Sequence, residues 1–121
     1  MLAHVELLRL KAEVLKGHLD PILLAALEPQ PLHGYAIMET LRARSLASFD
    51  LPTGTVYPAL HRLERAGLIK SEWSTVSGRR RRTYRLTEAA RRKLQDERAS
   101  WRQFSRTVSN LIGGTPASAT P

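Results

Sequence analysis

Apolar side chains recur at helical spacing in three segments of the first half of the chain. Residues 3–16 carry a single apolar stripe and predict an amphipathic helix. A second helix is expected to begin with Asp20 as its N-cap and Pro21 in its first position. Residues 22–27 are apolar on every side, which indicates that this helix is buried. A third helix is expected over residues 33–44, with apolar contacts from Tyr35, Ile37, Met38 and Leu41.

A short fourth helix within residues 52–69 is expected to have two faces that differ in kind. Because the first four N–H groups of a helix have no internal partner, Pro58 is tolerated if the regular helix starts near Thr55. Gly67 is expected to end the helix. The residues spaced to pack inward are Val56, Leu60 and Leu63. The other face offers hydrogen-bonding and positively charged groups, on Thr55, Tyr57, His61, Arg62 and Arg65.

Two strand-like segments follow this helix, at residues 69–74 and 83–86. The turn between them is expected to hold the arginine run 79–82, and Trp73 is expected to cover the core from the sheet side. A helix with a polar, basic face followed by a hairpin with arginines at its tip is typical of a winged helix-turn-helix. In that fold class, mostly α with a small β-hairpin wing, the helix enters the major groove and the wing lies along phosphates.

The last helix is expected to begin after Thr87, a favourable N-cap, and to continue to about Ile112. Its apolar residues follow a heptad pattern, interrupted by Glu97, and comprise Leu94, Trp101, Phe104, Val108 and Leu111. A long helix with such a stripe needs a cover, and a second copy of the chain is the simplest one. The sequence therefore predicts a homodimer.

These patterns divide the chain into four parts. An N-terminal amphipathic helix occupies residues 1–16, and a winged helix-turn-helix domain occupies residues 17–86. A dimerisation helix spans residues 87–112. Residues 113–121 are rich in Gly, Pro, Ser and Thr, which is typical of a disordered tail.

The composition favours a polyanionic partner. The chain of 121 residues has a formal net charge of +8 and a pI of about 10.8. It contains no cysteine, which excludes disulfides and is consistent with a cytoplasmic protein. No apolar run has the length of a membrane span, so no membrane partner is expected.

The residues that could carry catalysis or bind a metal do not form a recognisable pattern. His4, His18, His33 and His61 are scattered along the chain, and no cysteine supports them as metal ligands. The sequence contains no spacing typical of a nucleophile, a metal set or a phosphate loop. We therefore expect neither a metal nor a cofactor, and we do not expect an enzyme.

Five sequence strings resemble the PadR family of bacterial transcriptional regulators. The strings are GHLDPILL (17–24), LHGYAI (32–37), GTVYPALHRLE (54–64), GLI (67–69) and GRRRRTYRLTE (78–88). Their joint order and spacing are specific, and the resemblance covers most of residues 15–105. The single long C-terminal helix resembles the smaller branch of the family. The chain departs from the common pattern at Pro52-Thr53, where Ser-Pro is frequent, and in its unbroken arginine run.

The resemblance implies a dimeric winged-helix repressor that binds double-stranded DNA and responds to a planar aromatic small molecule at the dimer interface. The predicted DNA-binding residues are Tyr35, Thr53, Thr55, Tyr57, His61, Arg62, Arg79, Arg80 and Arg81. The predicted residues of the effector and dimer interface are Leu94, Trp101, Phe104 and Val108. Two rival functions stay open: a winged-helix module that binds a protein, and an architectural DNA binder without sequence preference.

Overall fold

The computed structural model describes residues 17–113, which form four helices and a three-stranded antiparallel sheet. The elements in chain order are α1 (Leu19–Leu27), β1 (Leu32–His33), α2 (Gly34–Arg44), α3 (Thr53–Arg65), β2 (Ile69–Val76), β3 (Arg79–Leu86) and α4 (Glu88–Ile112). The helix predicted over residues 3–16 and the predicted tail beyond Gly113 lie outside the described residues.

One hydrophobic core joins all four helices to the base of the sheet. Its largest side chains, nearly inaccessible to solvent, are Leu23, Leu24, Leu27, Ile37, Val56, Leu60, Leu63, Ile69 and Leu94. The inward face predicted for α3 is therefore confirmed. Tyr35 does not join the core as expected, because its side chain is 62% exposed.

A side chain caps the start of α2 but not that of α1. The predicted N-cap Asp20 is wrong, since α1 starts at Leu19 and His18 occupies the cap without a side-chain hydrogen bond. The Asp20 carboxylate instead accepts a hydrogen bond from the Arg62 guanidinium. In α2, His33 is the N-cap, and its Nδ1 accepts from the Ala36 N–H at 3.1 Å.

The ends of α3 show one correction and one confirmation. The helix begins at Thr53, so Pro58 lies beyond the first turn and removes the donor that would bond to the Gly54 carbonyl. Gly67, with φ of 75°, ends the helix as predicted. Its N–H donates to the Glu64 carbonyl and the Leu68 N–H donates to the Leu63 carbonyl, each at 3.0 Å, which is the Schellman pattern.

The arginine run lies within a strand and not in the turn, contrary to the sequence prediction. Strands β2 and β3 pair from Ile69 opposite Leu86 to Val76 opposite Arg79, so the turn contains just Ser77 and Gly78. Both have positive φ, of 52° and 76°, as a tight type I′ hairpin turn requires. Because two residues complete the turn, Arg79–Leu86 is free to continue the ladder.

The first strand, β1, was not predicted from the sequence. It pairs with β3 on the side opposite β2, with Leu32 opposite Tyr84 and His33 opposite Thr83. This pairing places the start of α2 beside the middle of β3.

Helix α4 has the predicted bounds and cap. Thr87 Oγ1 accepts from the Ala90 N–H at 3.2 Å, and Gly113 follows the helix with φ of 81°. Leu94 is a correction to the predicted interface, because it is 2% exposed and belongs to the chain's own core. Arg98 donates to both oxygens of Glu28, at 2.7 and 2.9 Å, and so ties α4 to the end of α1.

Beyond Leu94 the α4 stripe is exposed, apart from the half-buried Val108. Trp101 is 52% exposed and Phe104 is 57% exposed, and Leu111 and Ile112 are more exposed still. The stripe does not make α4 a membrane helix: within residues 17–113, the structure contains no helix with the length and hydropathy that a membrane span needs.

Candidate nucleic-acid interface

A concave surface of about 560 Å³, called the wing groove below, lies where α3, the start of α2 and the β2–β3 hairpin meet. The residues that line it are His33, Gly34, Tyr35, Tyr57, His61, Trp73, Arg79, Arg80, Arg81, Arg82 and Tyr84. Six predicted DNA-binding residues therefore come together here from three separate elements, namely Tyr35, Tyr57, His61, Arg79, Arg80 and Arg81.

Three predicted DNA-binding residues lie elsewhere. Thr53 and Thr55 are exposed in the first turn of α3, outside the wing groove. Arg62 differs more from the prediction, because its guanidinium pairs with the Asp20 carboxylate on α1. Since His61 and Arg62 are consecutive in a helix, they point about 100° apart around its axis.

Sequence reasoning missed five residues of the wing groove: His33, Gly34, Trp73, Arg82 and Tyr84. The pairing of β1 with β3 brings His33 into the groove, and a two-residue strand has no useful periodicity. Alternation along β3 could have indicated that Arg82 and Tyr84 share one face, had the turn been assigned to two residues.

The lining of the wing groove is chemically one-sided. It contains four arginines, and among the described residues no Asp or Glu lines it. Burial raises the pKa of the Tyr84 phenol, so its hydroxyl stays protonated at neutral pH. The groove therefore presents hydrogen-bond donors and positive charge, which suits an anionic group such as a phosphate.

His33 and Arg81 show this preference at close range. The Ala36 N–H donates to His33 Nδ1, so the proton of the neutral ring resides on Nε2. Arg81 Nη1 lies 3.2 Å from that Nε2, and both atoms are then donors. An oxygen that accepts from both, as a phosphate oxygen can, would satisfy the pair.

Trp73 has a different role from the predicted one. It is 56% exposed and does not cover the core. The guanidinium carbons of Arg80 and Arg82 lie 4.8 and 5.6 Å from its ring centroid. These cation–π contacts hold both arginines over one aromatic surface at the edge of the groove.

Tyr57 lies directly on the backbone of α2. A Cβ placed on Gly34 would stand 2.5 Å from the Tyr57 hydroxyl oxygen and 2.7 Å from Cζ. A residue without a side chain is therefore required for Tyr57 to keep its place in the groove.

This contact gives a first prediction. Gly34→Ala should displace the Tyr57 ring and weaken binding to a specific duplex about tenfold, while stability to unfolding changes by less than about 1 kcal/mol. Fluorescence anisotropy and thermal unfolding measure the two effects. In a Tyr57→Ala background, Gly34→Ala should cause no further loss of affinity. A full loss in that background would place the effect on the α2 backbone and not on Tyr57.

Within residues 17–113, no three His, Asp or Glu side chains are grouped so that they could hold a metal ion. The chemistry of the site is that of its arginines, tyrosines and histidines.

A model of the transcriptional regulator PadR-like family matches residues 23–96, which extend from α1 into α4. The chain belongs to the PadR-like family. It is 40% identical over 83 residues to the transcriptional regulator Rv3488 of Mycobacterium tuberculosis, over 69% of this chain and 72% of that protein. Members of the PadR-like family are DNA-binding regulators and not enzymes. The predictions that the protein is a DNA-binding regulator and that it is not an enzyme are therefore confirmed.

Solved PadR-family structures share the fold. The regulator from Eggerthella lenta is 28% identical, with a TM-score of 0.79 over 95% of this chain and all of that one. The regulator from Clostridium difficile R20291 is 36% identical, with a TM-score of 0.67 over 78% of this chain and 97% of that one. The predicted fold class, a winged helix with a long C-terminal helix, is confirmed for this PadR-like chain.

Proposed function

We propose that this PadR-like regulator is a homodimer that binds a pseudo-palindromic duplex site and represses transcription from it in the cytoplasm. The observation that carries the DNA-binding part is the wing groove, with four arginines and no carboxylate among its described lining residues. Phosphate is the anion that such a donor-rich surface fits, and duplex DNA presents it at regular spacing.

In this proposal the groove supplies affinity and α3 supplies sequence choice. Arg79, Arg80 and Arg81 contact phosphates, with the hydroxyls of Tyr35 and Tyr57. The residues of α3 directed at base edges are Thr53, Thr55 and His61. We assign no DNA contact to Arg62, which lies outside the wing groove and pairs with Asp20.

The exposed apolar stripe of α4 supports the homodimer. Trp101, Phe104, Val108 and Leu111 follow heptad spacing on the side of α4 that continues from the core. A second copy would cover both stripes through one two-fold axis and would present two copies of α3 to one DNA face.

The deciding experiment is competition between a duplex from the region upstream of the gene and random duplex, followed by footprinting. We expect strong preference for one site, with two protected half-sites whose centres lie about 34 Å apart. Equal affinity for both duplexes would favour the architectural binder. Absence of DNA binding would favour the protein-interaction module.

We also propose that a planar aromatic effector binds beside Trp101. The ring centroids of Trp101 and Phe104 lie 6.0 Å apart. The His18 ring meets the Trp101 ring edge-on, with 5.6 Å between their centroids. These rings form an exposed aromatic cluster on the stripe that the proposed dimer covers. Planar aromatic compounds favour offset stacking on such surfaces.

The expected result is saturable quenching of Trp101 fluorescence by an aromatic compound that also releases the protein from DNA. Trp73→Phe isolates the Trp101 signal, and DNA release is measured with Trp73 intact. Binding alters DNA affinity because the ligand favours one spacing of the two α3 helices. If the same compounds release a dimeric Trp101→Ala variant equally well, the effector site lies elsewhere.

A further inference from the structure

Glu64 links the helix that reads DNA to the wing. It lies in the last turn of α3, and one carboxylate oxygen accepts a hydrogen bond from the Ser71 hydroxyl on β2. The other oxygen accepts from Arg82 Nη2 on β3 at 3.3 Å. Arg82 Nε in turn donates to Ser71 Oγ at 2.7 Å, so the three side chains close a small network between one helix and two strands.

The network continues from Arg82 into the wing groove. Arg82 stands opposite Trp73 in the strand register, and its guanidinium lies over the Trp73 ring. The same ring supports Arg80. A contact made at Glu64 therefore determines where Arg82 lies, and through the shared ring it influences the position of Arg80.

The base of the hairpin is anchored by the core and by β1, whereas its outer half is exposed. The buried part of the hairpin ends near Ile69, Tyr84 and Leu86, at its base. Residues 72–80 are all exposed. Because the outer half of the hairpin has no core of its own, side-chain links to α3 at its midpoint have a large influence on its direction.

The electrostatics of Glu64 agree with such a link. A carboxylate in the last turn of a helix opposes the helix dipole, so its contacts must offset that cost. The Ser71 hydrogen bond first, and then the charge of Arg82, hold the pKa of Glu64 below its ordinary value. The group is therefore ionised at neutral pH and available to Arg82.

We propose that Glu64 is a positioning residue for sequence-specific binding, which holds the wing in register with α3 so that both meet one DNA site. Glu64 itself contacts no DNA. The proposal rests on the DNA-binding function proposed above, and it concerns how the two DNA-contacting elements are kept as one unit.

Glu64→Gln tests the proposal, because a change in charge alone and a loss of wing positioning predict opposite changes in affinity for the specific duplex. Glu64→Gln removes a negative charge near a polyanion and releases Arg82, so charge alone predicts tighter binding. Positioning predicts about tenfold weaker binding to the specific duplex, which is the size expected for losing a charged hydrogen-bond link. Affinity for random duplex should stay near the wild-type value.

Glu72→Gln is the matched control. Glu72 is exposed on β2, on the face of the strand opposite Ser71 and Trp73. Glu72→Gln raises the net charge by one unit, as Glu64→Gln does. We expect Glu72→Gln to bind the specific duplex at least as tightly as wild type. If Glu64→Gln behaves like Glu72→Gln, the proposal is overturned.

A local signal and a second variant complete the test. In a Trp101→Phe background, Glu64→Gln should shift the fluorescence emission of Trp73, because Arg82 no longer holds its place over the ring. Unchanged emission would count against the link.

Ser71→Ala removes one hydroxyl and should give an intermediate loss of affinity for the specific duplex. If Glu64→Gln does not fold, Ser71→Ala at wild-type affinity overturns the proposal. A wild type that fails to prefer its specific duplex would instead contradict the proposed function.

Discussion

Replacing Arg80 and Arg81 together with alanine should weaken binding to specific and random duplexes alike. Each phosphate contact releases about 0.9 counterion, so losing two contacts should cost roughly sixtyfold in affinity for each copy of the chain at 0.1 M salt, and the two copies of a dimer lose four contacts together. The slope of log affinity against log salt should become shallower by about 1.8 for each copy, or about 3.6 for the dimer. Titrations of the double variant over a range of salt concentrations measure both quantities.

The structure gives the physical reason for so large an effect. Arg80 already rests on the Trp73 ring, so its side chain loses little conformational freedom when it meets a phosphate. Arg81 Nη1 faces a second donor, His33 Nε2, so an incoming anion can accept from both atoms at once. Both guanidinium groups are therefore prepared for binding before DNA is present.

Arg91→Ala with Arg92→Ala is the control for this pair. These are also neighbouring arginines with exposed side chains, but they lie on α4 outside the wing groove. The control variant loses the same formal charge and should keep most of the salt slope. If Arg80→Ala with Arg81→Ala lowers specificity and leaves the salt slope unchanged, the wing reads bases and the phosphate assignment is wrong.

The parts of the fold that follow from short-range rules could be predicted from the sequence. Thr87 predicted the start of α4 because a threonine side chain can accept from the third N–H of a helix, and it does so here. Gly67 predicted the end of α3 because its φ of 75° suits glycine. Val56, Leu60 and Leu63 predicted the buried face because α3 keeps a regular period.

The wing groove was harder to predict because its geometry depends on residues that are distant in sequence. Serine rarely adopts a positive φ, as Ser77 does here, so the sequence predicts a longer turn that contains the arginines. Arg62 has the composition of a DNA contact, yet an ion pair with Asp20, far away in sequence, holds its guanidinium. Likewise, nothing local to Trp73 indicates that two arginines from the opposite strand will cover it.

Phe104→Glu together with Val108→Glu should convert the protein into monomers. Both side chains lie on the apolar stripe of α4, where Phe104 is 57% exposed and Val108 is half-buried. Two carboxylates on each copy would bring four like charges into the proposed apolar interface, where they cannot be solvated. Sedimentation at micromolar concentration measures the change in mass.

The same double variant should lose roughly 10²- to 10⁴-fold in affinity for a two-half-site operator, because each copy must then bind its half-site independently. Affinity for an isolated half-site should remain close to that of wild type. Gln103→Glu with Asn110→Glu is the control, since these exposed residues lie on a different face of α4 and add the same charge. That variant should remain a dimer.

A comparison with Leu94→Glu distinguishes loss of the dimer from loss of the fold. It belongs to the same heptad stripe, but it is 2% exposed in a single chain, so Leu94→Glu should unfold the protein. Phe104 and Val108 lie outside the core of the single chain, and their double variant should therefore keep the cooperative thermal transition of a folded winged helix. A folded double variant that still sediments as a dimer would remove this part of α4 from the interface. A wild type that is monomeric at micromolar concentration would contradict the two-fold arrangement, and with it the expectation of two half-sites on the DNA.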